Sequence, residues 1–193
     1  THSSIFLLSS LFSLPAAKYN LFHLVPAYIL VFSNFILIKL IFNKDICKNY
    51  IFITFLSLSS LVFINSFFYR LGEHGTDRSA MILIILLLVN YIYFINKKSE
   101  KINSDYLKIF TIIITIIISL KTLYIVYVIL FFPLIIYIYQ RTKSVNLFIN
   151  KNLFLCFLLF GFVILTNFLN TGCLLFPEKK TCFFNTLWSL PLS

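Results

Sequence analysis

Charge is scarce in this sequence: 11% of its 193 residues are charged and Asp and Glu together number 6, against roughly a quarter charged residues in an ordinary soluble domain. A soluble globular protein is thereby excluded. Glycine (4) and proline (5) are also few, which excludes collagen-like and Pro/Gly-rich disordered chains. The 4 cysteines are scattered among long apolar blocks, which does not suit a small disulfide scaffold. No Cys and His spacing resembles a zinc site, so no metal site is predicted. Also missing are the phosphate-cradling P-loop, the H-E-x-x-H pair, the G-x-S-x-G elbow and the dinucleotide fingerprint. A nucleotide enzyme of the soluble type is therefore absent, no cofactor is indicated, and any donor substrate would have to come through the membrane.

What is present is apolar surface. Hydrophobic residues make up 60% of the chain, 24 of them Phe, in blocks that approach the roughly 20 residues a spanning helix needs. Five blocks qualify: Phe22 to Phe42, Ile51 to Tyr69, Ser79 to Ile95, Thr122 to Tyr139 and Leu153 to Leu169. A shorter run covers Ile109 to Leu120, and Ile5 to Leu14 reads as a span cut short. The fold class is thus all-α, a polytopic transmembrane bundle of about six to seven spans forming one membrane domain over residues 1–193, with an external Cys-containing segment at 170–193. The start at Thr1 rather than Met predicts an internal piece of a longer protein. The lipid bilayer is the predicted partner.

The stretch from Ile109 to Tyr139 decides the topology. As one helix it would rise about 46 Å and bury Lys121 near the bilayer centre, so two helices with a tight turn at Lys121 are predicted. The loops around Lys39 to Tyr50, Asn96 to Lys108 and Gln140 to Asn152 then share one side. They hold most of the basic residues and are placed in the cytoplasm. Arg70 to Arg78, Lys121 and the tail from Asn170 fall outside. The net charge of +10 resides in these short loops, where it orients helices, and nucleic acid is not a predicted partner.

Three groups of residues could carry chemistry. The densest is the connection Arg70-Leu-Gly-Glu-His-Gly-Thr-Asp-Arg78, which sets Arg70, Glu73, His74, Asp77 and Arg78 at the water boundary. A carboxylate there could serve as a base and an arginine could bind phosphate; equally, the charges could pair with one another and Asp77 could cap the next helix. Lys121, at the end of a short helix, is placed either to meet a lipid phosphate or to snorkel to the interface. His23 opens the first long span, near Lys18, as a binding group or a structural hydrogen-bonder. Cys173 and Cys182 bracket a short external segment in which a disulfide or two free thiols would fit, while Cys47 and Cys156 read as unpaired. Tyr124 and Trp188 read as interfacial anchors, and Asn34, Asn65, Asn90 and Thr115 as hydrogen-bonding links between helices.

The segments Gly75-Thr-Asp-Arg-Ser, Ser119-Leu-Lys-Thr, Asn170-Thr-Gly-Cys-Leu-Leu-Phe-Pro, Thr181-Cys-Phe and Trp188-Ser resemble those of a family of large bacterial multi-pass proteins that is itself similar to the GT-C glycosyltransferases of cell-envelope polysaccharide synthesis. The resemblance implies a GT-C-like bundle in the bacterial inner membrane, a polyprenyl-phosphate-linked sugar as substrate, and an inverting displacement on the external side. In such enzymes a carboxylate of an external loop, commonly the first, is the base or a metal ligand. Here no acidic residue precedes Asp45, which is predicted cytoplasmic, so the usual first-loop acid is either upstream of Thr1 or absent. Asp77 and Glu73, with His74, are then substitutes or secondary site residues, and Arg70, Arg78, Lys121 and His23 are the substrate candidates by charge and side, only Lys121 and Gly75 to Ser79 being carried by the resemblance. An O-antigen ligase or polymerase and a transporter or flippase are the alternative expectations.

Overall fold

The computed structural model describes residues 24–68, 76–96, 105–142 and 151–172. Among these the chain is helical throughout, with no strand, and it divides into two compact units, Thr1–Lys98 and Ser99–Ser193. Three helical stretches are long and apolar enough to cross a membrane, Leu24–Ile41, Asp77–Asn96 and Leu123–Gln140, and Ile51–Phe67, Leu107–Leu120 and Phe157–Thr166 are shorter apolar helices.

In the first unit α1 (Leu24–Ile41) is followed by a six-residue helix, α2 (Lys44–Asn49), and by α3 (Ile51–Phe67) and α4 (Thr76–Asn96). Pro26 falls in the first turn of α1, where a missing N–H costs no helical hydrogen bond. Lys39 lies in the last turn, toward the negative end of the helix dipole. Asn43 Oδ1 accepts from Ile46 N–H (3.3 Å) and opens α2, whose Ile46 is buried.

α1 packs on α3 and α4, and α3 packs on α4. The buried positions of α3 are Ile53, Ser57, Ser60 and Ile64, a single face at helical spacing, while Phe55, Leu58, Val62 and Phe63 point outward. This inverts the pattern of a soluble helix, with hydroxyls inside and phenylalanines outside. It suits hydrocarbon, where small residues let helices approach closely and apolar surface has no reason to hide. The Ser57 hydroxyl is satisfied within its own helix, donating to Ile53 O at 2.8 Å. α4 is buried nearly all round over Ser79 to Val89.

The second unit holds α5 (Asp105–Leu120), a 3₁₀ segment (Thr122–Leu130), α6 (Phe131–Thr142) and α7 (Lys151–Thr171). α5 packs on α7 and on the 3₁₀ segment. Its Thr111 and Thr115 hydroxyls bond back to Leu107 O (2.7 Å) and Thr111 O (2.8 Å), so both polar groups are buried without orphan donors. Phe131 sits edge-on to Phe110 (5.1 Å, 88°) and 6.1 Å from Phe157, which ties α6 to α5 and α7. α7 ends at Gly172, whose φ of 74° and N–H to Phe168 O bond (2.8 Å) form a glycine C-terminal cap.

The break at Lys121 stands where the sequence placed it: Lys121 has extended backbone between α5 and the 3₁₀ segment. The apolar run Ile109 to Leu120 is the core of a helix that begins at Asp105. The predicted external segment from 170 begins with two residues that are still helical. The apolar stretch Ile5 to Leu14 lies outside the described residues.

Candidate functional site

Asp77 and Arg78 occupy the first turn of α4 and are half-buried. Thr76 is the first helical residue, so Asp77 lies inside the turn, where its charge meets the positive end of the dipole. The next residue, Ser79, is fully buried and its hydroxyl has no hydrogen-bond partner. Arg70, Glu73, His74 and His23, with Cys173 and Cys182, lie outside the described residues. Cys47 is free and exposed. Among the described residues no three His, Cys, Asp or Glu side chains gather as a metal site would require.

In the second unit Lys121 is half-buried at the head of the 3₁₀ segment, which opens with Tyr124 N–H to Lys121 O at 3.1 Å. With three residues per turn, positions three apart eclipse. Tyr124 and Tyr127 therefore stack along one side, both half-buried, with their phenol rings 6.2 Å apart, and the half-buried Lys121, whose backbone is extended, stands just ahead of the first turn. The outward row is Leu123, Val126, Ile129 and Phe132, each 62–69% exposed. A cation followed by two phenols at the end of an apolar span can hold an anion at the membrane boundary, the ammonium by charge and the phenols by O–H donation. Tyr127 had carried no role in the sequence reading and Tyr124 only that of an anchor. The three-residue spacing was visible, but on an α-helix the same residues would drift round the axis.

Lower on the segment, a cavity of about 200 Å³ opens between Thr111, Val128, Phe131, Phe132, Ile135, Phe157 and Phe160. Its only polar side chain, Thr111, spends its proton on Leu107 O, so the space suits hydrocarbon and not water.

A family model described as a domain of unknown function, DUF8201, matches residues 1–193. The chain belongs to the DUF8201 family. No curated protein and no solved structure matches it. The DUF8201 assignment covers both units, so the first turn of α4 and Lys121 with the tyrosine pair after it are features of one family domain, each in its own unit.

Proposed function

We propose that the chain is part of a multi-pass, GT-C-like enzyme of the bacterial inner membrane that acts on polyprenyl-phosphate-linked sugars. The observation that carries this reading is Lys121 at the head of the 3₁₀ segment that opens the span Leu123–Gln140, with Tyr124 and Tyr127 stacked on one side of that segment. A lipid-linked phosphate has an anionic head at the membrane boundary and a tail in the hydrocarbon, and a lysine at the end of an apolar helix with phenols below it is chemically matched to that head. Asp77, in the first turn of α4, supplies a carboxylate at a helix end. In the sequence-based topology of six to seven crossings, this end belongs to the external side, where the acceptor would be deprotonated.

The test is a transfer assay on the full-length protein in membranes, read as lipid-linked sugar consumed at matched expression. Lys121→Ala is expected to lower kcat/KM by about 10- to 100-fold, the worth of a hydrogen bond to a charged group. Asp77→Asn is expected to lower kcat by about 100-fold or more, as for loss of a general base. Unchanged turnover in both inserted variants would refute the site, and no turnover by the wild type on any envelope lipid-sugar would refute the activity.

A further inference from the structure

Nine consecutive residues, Thr122–Leu130, are 3₁₀-helical in the middle of an apolar stretch, whereas such runs rarely exceed three or four residues. Three observations explain the geometry. Pro133 stands in the first turn of α6; its ring clashes with the carbonyl four residues back in an α-helix, which here is that of Ile129, and it offers no N–H to that carbonyl. At the junction the Phe131 N–H turns to the Ile129 and Val128 carbonyls instead. Length is the second factor: Leu123–Gln140 would reach about 27 Å as an α-helix, but with its first eight residues at the longer 3₁₀ rise it reaches about 31 Å, close to the roughly 30 Å of a bilayer core. Third, the cavity flanked by Val128, Phe131 and Ile135 leaves room beside the segment for these side chains to shift.

We propose that Thr122–Leu130 is a length-adjustable section of the span, converting between 3₁₀ and α geometry with the thickness of the surrounding bilayer. Each residue changes the rise by about 0.5 Å and the twist by about 20°, so the full conversion shortens the span by about 4.5 Å and turns one end against the other by about 180°. The face on which Tyr124 and Tyr127 stack exists only in the long form. In the short form the two tyrosines stand about 60° apart round the axis and Lys121 is drawn toward α6. A thick bilayer favours the long form because the alternative leaves hydrocarbon mismatched at the ends. The inference does not depend on glycosyl transfer; it concerns the backbone of this span alone.

The experiment measures the distance between spin labels at Thr122→Cys, the first residue of the segment, and Gln140→Cys, an exposed position of α6, in full-length protein with its other cysteines replaced by serine. The two positions are about five α turns apart, so they share one side of the axis in the α form and are turned apart in the 3₁₀ form. The protein is reconstituted in long-chain (dierucoyl) and short-chain (dimyristoleoyl) phosphatidylcholine. The wild-type label distance is expected to be longer by at least about 4 Å in the thick bilayer, the change of rise and the turn about the axis adding for this pair, and Pro133→Ala is expected to give the short distance in both. Oriented-sample nitrogen NMR of the unsubstituted protein is an independent readout, with resonances of Thr122–Leu130 repeating every three residues in the thick bilayer and every 3.6 in the thin one. A wild-type spacing and repeat that do not change between the two bilayers overturn the proposal, as does a Pro133→Ala span that stays long in both.

Discussion

Asn34 and Asn65 show how much a single pair of residues decides here. Their carboxamides bond reciprocally, each Nδ2 to the other's Oδ1 at 3.1 Å, and Asn65 Nδ2 also donates to Leu61 O at 2.8 Å. Asn34 lies about 15 Å along α1, near the middle of a candidate span. Asn65 is exposed on α3, so the pair joins two helices at a depth where water offers no replacement partner. Asn65→Leu leaves the Asn34 amide unpaired and is expected to destabilise the unit by about 0.6–2 kcal/mol. Asn34→Leu in the same background should cost less than it does alone. The coupling is read from a double-mutant cycle by reversible SDS unfolding, and simple additivity would show that the pair contributes nothing. The sequence offered both residues as helix links. Which asparagine meets which, 31 positions apart, was not legible, because apolar helices slide past one another without a register marker.

At the scale of elements, α3 and α6 are held by opposite devices. α3 presents Ser57 and Ser60 to its neighbours α1 and α4, so its contacts depend on closeness. Ser57→Leu forces a branched side chain into a fully buried position and is expected to cost about 1–3 kcal/mol. Accelerated cysteine cross-linking loss between α1 and α3 would check it, and an unchanged cross-link would contradict the close packing. α6 is fastened by bulk. Phe131 touches two rings on two helices, and Phe131→Ala is expected to cost about 3–5 kcal/mol by the same unfolding measurement, because the existing cavity would widen beside it. These assignments were only half visible beforehand. The helix limits follow from where apolar residues stop, but α1 and α3 carry phenylalanines and leucines on every side, so no amphipathic stripe points to the packed face.

For the whole molecule, sidedness is the property most open to experiment. Cys47 is exposed on the short helix Lys44–Asn49 between α1 and α3, and the positive-inside tendency predicts the cytoplasmic side for that connection. In intact cells, in a variant that keeps Cys47 as its single cysteine, Cys47 is expected to react with a membrane-permeant maleimide and to resist an impermeant one; labelling by the impermeant reagent would invert the predicted topology and with it the external position proposed for Lys121. The sequence by itself determined that the chain is helical, apolar and divided near Asn43, Gly75 and Lys121, because in hydrocarbon each crossing must satisfy its own backbone hydrogen bonds, and that demand is met within a segment. Only the tertiary structure decided the Asn34–Asn65 pair, the serine face of α3, and the 3₁₀ geometry that stacks Tyr124 on Tyr127. These depend on side-chain shape and on a proline acting four residues away, which a pattern of apolar and polar letters does not encode.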